Sequence, residues 1–181
     1  MITNEWKKFK GWVILSFFLK TNKEIHVKEL ARQLKVSPQT ANYYLKFYKK
    51  EGILKERRKG NLLLYSLMDN SLTRQLKIVY ILDILFDFSK NFCKENNITS
   101  LVLYGSHASG TYDENSDIDL LVISQNKRLK LEEIKRLEKR LKKEVKIEVF
   151  SLGEWRSLKN KKDKFIQSLL SNYILLYGAE I

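Results

Sequence analysis

The chain has 181 residues, 44 % of them hydrophobic and 12 % aromatic, one cysteine (Cys93) and a formal net charge of +13. That composition excludes a disordered chain and a disulfide-stapled secreted module. The absence of any apolar run near the roughly 18–20 residues a span requires excludes a helical membrane protein. A lone thiol points to a reducing compartment, with Cys93 expected as a buried small hydrophobe. The opening MITNEWKKFK, with Glu5 and Trp6 early and no small-residue cleavage site after the apolar run, argues against a signal peptide, so the expected location is cytoplasmic.

Residues 1–70 carry 15 Lys and Arg against 6 Asp and Glu, whereas residues 71–181 carry 19 against 15. Positive charge concentrated at the front suggests a polyanion partner there; the alternative is a lysine-rich coat on every surface. In that front segment, Trp12 to Leu19 predicts a buried helix ending near Thr21–Asn22. Val27, Leu30, Ala31 and Leu34 have helical spacing. Ser37 then serves as an N-cap, with Pro38 in the first helical position, where its missing N–H costs nothing. The helix they open buries Ala41, Tyr44, Leu45 and Tyr48 and stops at Gly52. Two strand-like runs, Ile53–Arg58 and Leu62–Leu67, flank Lys59-Gly60-Asn61, a hairpin signal. Helix, helix–turn–helix, hairpin is the order of a winged helix-turn-helix, and the segment resembles prokaryotic winged-helix regulators. In such folds the second helix of the motif enters the major groove and the wing touches backbone or minor groove. The residues this assigns to double-stranded DNA are Ser37, Gln39, Thr40, Asn42, Tyr43 and Lys46 on the helix, with Arg57, Arg58 and Lys59 on the wing beside Lys55. Protein binding or dimerisation through this module is the alternative. A homodimer is expected by analogy, since winged-helix proteins often bind two-fold sites.

Ser71 to about Asn96 predicts a long connecting helix with apolar residues on more than one face. Afterwards the period changes. Leu101–Tyr104 and Ile118–Ile123 predict short buried strands, Leu131–Glu144 an amphipathic charged helix, Val145–Phe150 an alternating strand, and Lys164–Tyr177 a closing helix. The expected division is 1–70, 71–97 and 98–181.

The stretch LYGSHASGTYDENSDIDLLV, Leu103 to Val122, sets two aspartates at the mouth of an apolar strand. Alternation puts Asp117 and Asp119 on one face and Ile118 and Leu120 on the other. Close carboxylates repel unless one takes a proton or a cation lies between them. They are therefore either strand-end charges or ligands of a hard dication such as Mg²⁺. Gly105 allows a ligand to approach the backbone, and the following N–H groups with the Ser106 hydroxyl can hold phosphate oxygens. Glu148, on the polar side of its strand, can supply a third carboxylate that orients or deprotonates an acceptor hydroxyl. Two metals, a gripped triphosphate and an aligned nucleophile are what nucleotidyl transfer requires. Asp113, Glu114 and Asn115 read as loop-solvating residues. His107 reads as either a phosphate or base contact or a surface loop residue, and the lysines of 127–146 as a solvated helix face, one of which could reach a triphosphate.

GSHASGTYDENSDIDLLV resembles the DNA-polymerase-beta-like nucleotidyltransferase superfamily: Gly-Ser, ten residues, then Asp-x-Asp in a hydrophobic strand. Over Thr99 to Tyr177, including KIEVFSL and the ending NYILLYG, it is most similar to the minimal nucleotidyltransferase branch. The resemblance implies that Asp117, Asp119 and Glu148 are the catalytic, metal-binding acids, that Mg²⁺ (or Mn²⁺) is the cofactor, and that Gly105 and Ser106 grip an NTP, with ATP expected. Glu148 departs from the commoner Asp, and Ser109 stands where many members have a basic residue. The resemblance also implies transfer of AMP to a protein hydroxyl, a HEPN-type toxin as a partner and an antitoxin-like role; the chain's size, with little room for a nucleic-acid-acceptor domain, favours a protein or small-molecule acceptor. The expected fold class is α+β: a winged helix-turn-helix joined by a long helix to a small α/β nucleotidyltransferase domain with a mixed sheet. The rival reading is a DNA-binding transcription regulator whose second domain senses nucleotide without turnover.

Overall fold

A computed structural model of the chain describes Glu5, residues 8–161 and residues 163–181. The chain clusters into two compact units, Met1–Tyr80 and Ile81–Ile181, and the division falls inside the long helix.

The first unit contains α1 (Lys10–Lys20), β1 (Ile25–His26), α2 (Val27–Leu34), α3 (Pro38–Lys50), β2 (Leu54–Lys59), β3 (Leu62–Leu67) and the start of α4 (Ser71–Asn96). Its three-stranded antiparallel sheet has the order β1-β3-β2, with Ile25 opposite Tyr65 and Glu56 opposite Tyr65 on the other side. α3 begins where the sequence predicts: the Ser37 hydroxyl accepts the Thr40 N–H at 3.0 Å and Pro38 occupies the first turn. Ile14, Phe18, Leu19, Leu30, Leu45, Leu54 and Tyr65 are all buried, so each helix and the hairpin contribute to one core. The short β1 escaped the periodicity reading, because two residues are too few to alternate.

The second unit adds β4 (Ile98–Tyr104), α5 (Gly105–Ser109), β5 (Ile118–Ser124), α6 (Glu132–Leu141), β6 (Val145–Phe150), α7 (Leu152–Asn160), α8 (Lys164–Ser171) and β7 (Tyr173–Gly178) to the rest of α4. Its sheet is mixed, with order β6-β5-β4-β7; β6 runs parallel to β5 and the other pairs are antiparallel. β5 lies inside the sheet, so it is apolar on both faces. Leu101, Leu103, Ile118, Leu120 and Val122 join Phe88, Phe92, Ile134 and Leu137 in one core layer. Val102, Leu121 and Ile123 join Trp155, Ile166 and Leu169 in the other. Cys93 is free and buried, as expected. No helix among the described residues is long and apolar enough to cross a membrane.

The single closing helix predicted over Lys164–Tyr177 is instead α8 followed by β7. Ile166, Leu169, Leu170, Tyr173 and Ile174 fit a helical stripe, but Asn172 leaves the helix in an extended conformation (φ −158°, ψ 91°). The aromatic and β-branched run that follows then pairs with β4, covering a strand that would otherwise be an edge. α7 was not anticipated, although its capping box is written in the sequence. Ser151 Oγ accepts the Glu154 N–H while the Glu154 carboxylate accepts the Ser151 N–H.

Candidate active site

Antiparallel pairing places Tyr104 opposite Asp119, and parallel pairing places Lys146 opposite Asp119 and Glu148 opposite Leu121. Paired residues share a face, so Tyr104, Asp119, Lys146 and Glu148 all project toward the layer of α7 and α8, together with Asp117 by alternation. Ile118 and Leu120 are fully buried on the opposite face, as the alternation requires. Burial holds the Asp119 carboxyl above its ordinary range; the Lys146 ammonium opposes that shift and the Asp117 charge adds to it. Burial likewise pushes the Tyr104 phenol up to about 12, with the charges of Asp119 and Glu148 adding to the shift, so Tyr104 stands within the field of both acids.

Gly105 is required by this arrangement on two counts. Its φ is +69°, and a Cβ there would lie 2.5 Å from Asp119 Oδ2. The turn and the carboxylate therefore touch. Ser106 follows at the start of α5, half-buried, and its carbonyl accepts the N–H groups of Thr111 and Tyr112. Ser109 turns its hydroxyl back onto the Gly105 and Ser106 carbonyls and to Thr111. His107 corrects both of its sequence readings: it is wholly buried and stacks on Tyr112 with centroids 4.2 Å apart, so it is core, neither a surface loop residue nor a ligand contact.

The loop before Asp117 is built, not merely solvated. Asp113 Oδ1 accepts the Asn115 N–H and the Ser116 hydroxyl. Lys143 Nζ donates to the carbonyls of Asp113 (2.7 Å), Glu114 (3.0 Å) and Ser116 (2.9 Å), tying this loop to the segment between α6 and β6. Lys146 Nζ lies 2.7 Å from Asp117 Oδ2. Neither lysine is part of a solvated helix face. Sequence reasoning missed both, because their partners are set by the β5–β6 register and by a turn 30 residues away.

Two adjacent aspartates with oxygen donors only, already drawing an ammonium group between strands, suit a hard cation such as Mg²⁺. Among the described residues no three His, Cys, Asp or Glu side chains form a cluster able to hold a metal ion. Glu148, exposed, stands two residues further along β6 than Lys146, the residue opposite Asp119. At roughly 3.3 Å per residue that is ~7 Å of strand, which the longer glutamate arm shortens.

A pocket of about 460 Å³ opens beside this turn, lined by Tyr104, Gly105, Phe165, Ser168, Leu169, Ser171 and Asn172. Tyr104 and Phe165, both of which line it, meet edge to face with centroids 5.9 Å apart.

In the first unit, Gln39, Tyr43 and Lys46 are exposed on α3, with Tyr43 64 % exposed, whereas Asn42 is half-buried. Ser37 and Thr40 hydrogen-bond one another, 2.8 Å between hydroxyl oxygens, so both are committed to the cap. On the wing Arg58 and Lys59 are exposed, but Arg57 forms a forked ion pair with Glu24. The aromatic Phe47, 45 % exposed one turn beyond Tyr43, was not singled out from the sequence.

Residues 87–176 match the family described as Nucleotidyltransferase domain. Residues 14–55 match the one described as Winged helix-turn-helix DNA-binding. No curated protein matches the chain. Among solved structures, reduced HlyU from Vibrio cholerae N16961 is similar at 17 % identity and a TM-score of 0.34, over 48 % of this chain and 83 % of that one. A toxin–antitoxin structure with AMP-PNP matches at 20 % identity and a TM-score of 0.38, over 52 % of this chain and 73 % of that one. A Sulfolobus solfataricus protein provisionally described as a nucleotidyltransferase matches at 17 % identity and a TM-score of 0.37, over 61 % of this chain and 92 % of that one. The chain thus joins a winged helix-turn-helix domain to a nucleotidyltransferase domain.

Proposed function

We propose that the second unit is a Mg²⁺-dependent nucleotidyltransferase that transfers NMP, AMP by preference, from an NTP to a protein or small-molecule hydroxyl, and that the first unit binds double-stranded DNA. One observation carries the enzymatic reading: the Gly105 turn abuts the Asp119 carboxylate so closely that no side chain fits between them. A phosphate held at the turn therefore lies against the acid pair. Gly105 and Ser106 would hold the phosphates, and Asp117 and Asp119 would hold the metal, with Glu148 standing outside that pair. When bound, Mg²⁺ supplies charge neutralisation for the triphosphate.

The acceptor oxygen attacks the α-phosphorus, the bond from that phosphorus to the bridging oxygen breaks, and pyrophosphate leaves. Glu148 accepts the proton from the acceptor hydroxyl. Tyr104, held neutral by burial, closes the apolar side of the site without adding charge. The resemblance of residues 99–177 to the minimal branch supports a protein hydroxyl, on a HEPN-type toxin partner, as acceptor and an antitoxin-like role.

Labelled ATP with Mg²⁺ and candidate partner proteins tests this reading. Pyrophosphate release is expected, and it should be abolished by Asp117→Ala combined with Asp119→Ala. Nucleotide binding with no turnover against any partner would instead make the domain a sensor.

A further inference from the structure

We infer that Lys143 is the positioning residue for Asp117: its ammonium gathers the carbonyls of the loop ahead of β5 and so sets the first aspartate where it can ligate a cation. The inference rests on the reading of Asp117 and Asp119 as metal ligands and names what on this chain holds one of them in place.

The backbone on both sides of Asp117 is held by two consecutive residues. An ammonium has three N–H donors and no acceptor, and Lys143 Nζ donates to the carbonyls of Asp113, Glu114 and Ser116 at 2.7, 3.0 and 2.9 Å. The last of these belongs to the residue directly before Asp117. On the other side, the Ile118 N–H donates to the Glu144 carbonyl at 3.0 Å. Both peptide groups that flank Asp117 are thereby tied to the turn between α6 and β6. That turn is itself fixed. Lys142 closes α6 in left-handed backbone (φ 54°), and the Glu138 carboxylate accepts the Val145 N–H at 3.0 Å.

The loop has no ladder of its own to do this. Residues 113–116 lie outside any helix or strand, and their mutual bonds use side chains. Asp113 Oδ1 accepts from Asn115 and Ser116, and Ser116 Oγ accepts the Asp113 N–H at 2.9 Å. Three carbonyls are left converging on one point, and a half-buried ammonium satisfies them there. Without it they would turn toward water and carry Asp117 with them, whereas a metal ligand has to be held to within about 0.5 Å.

Lys146 supplies the contrast. Its ammonium lies 2.7 Å from the Asp117 carboxylate itself, and its side chain is 54 % exposed. It competes with a metal ion for an oxygen that Lys143 helps to present. Coulomb attraction alone treats the two lysines alike: removing either positive charge should strengthen the binding of a dication. Positioning predicts opposite signs.

The affinity of the full chain for Mn²⁺, standing in for Mg²⁺, separates the two accounts; the free-ion signal in electron paramagnetic resonance measures it. Lys146→Met should tighten Mn²⁺ by up to about fivefold, the worth of one exposed ion pair. Lys143→Met should weaken it by about tenfold or more, the usual cost of a lost outer contact to a metal ligand. In Lys143→Ala, propylammonium replaces the part of the side chain removed and should restore binding, whereas sodium at the same concentration should not. Thermal unfolding checks that the variants fold; where Lys143→Met does not, Lys143→Ala with and without propylammonium decides. Unchanged or tighter Mn²⁺ in Lys143→Met, or a loss that propylammonium fails to reverse, overturns the positioning role and leaves the acid pair standing as the metal site. No Mn²⁺ binding by the unaltered protein would remove both readings.

Discussion

Gly105 and Gly60 share a backbone conformation, with φ of +69° and +57°, but not an environment. Nothing lies within 4 Å of a Cβ built on Gly60, whereas one on Gly105 runs into Asp119 Oδ2 at 2.5 Å. Alanine at either position incurs the left-handed penalty of about 1–2 kcal/mol. Only Gly105→Ala must also displace a candidate metal ligand. Urea denaturation should therefore show a larger loss for Gly105→Ala than for Gly60→Ala, and Mn²⁺ titration should show weakened metal binding in the first variant alone. Equal effects of both substitutions would mean that the contact with Asp119 is incidental. At this scale the motif was legible because Gly-Ser and Asp-x-Asp are residue types with few other reasons to occur together. Lys146 was not legible: it faces Asp117 only because β6 runs parallel to β5 in a register that sets Lys146 beside Asp119, a fact of pairing and not of spacing. His107 misled because a polar residue in a predicted loop gives no sign that its ring will stack beneath Tyr112.

Elements read from periodicity were recovered where one period held from end to end, as in α3, α4 and β5. They failed where two elements share a stripe. From Ile166 to Leu176 the apolar residues satisfy a helix, and only the unpaired side of β4 decides for a strand, which is tertiary information. α7 is the converse case, since its start is specified locally by Ser151 and Glu154. The hydrogen bond from Lys127 is the largest cause drawing the Glu154 carboxyl from 4.5 down to about 2, followed by the Ser151 N–H and hydroxyl. A depressed carboxylate stabilises the fold above its unfolded pKa and loses that contribution as pH falls through its folded value. The stability gap between the unaltered protein and Glu154→Gln should thus be full at neutral pH and shrink from pH 4.5 toward pH 2. Urea midpoints across that range measure it; a gap independent of pH would mean that the capping contact acts without the charge.

For the molecule as a whole, the excess of positive charge lies in residues 1–70, 15 basic against 6 acidic, so binding of duplex DNA should be an electrostatic property of the first unit. The exposed cations available to it are fewer than the sequence implies, because Arg57 is already paired with Glu24 while, among the described residues, Arg58 makes no ion pair. If Lys46, Arg58, Lys59 and two further lysines neutralise about five phosphates, the slope of log affinity against log salt should be about −4.5, or roughly 500-fold between 50 and 200 mM. Arg58→Ala should make that slope shallower by about 0.9, one phosphate's share. Arg57→Ala should change it less, since the Glu24 carboxylate already compensates the Arg57 charge and leaves it less free to neutralise a phosphate. Fluorescence anisotropy with random-sequence duplex at several salt concentrations separates the two variants. A flat salt response would remove duplex DNA as the partner of the basic unit and leave the acid pair of the second unit untouched, because the residues that carry the two readings do not overlap.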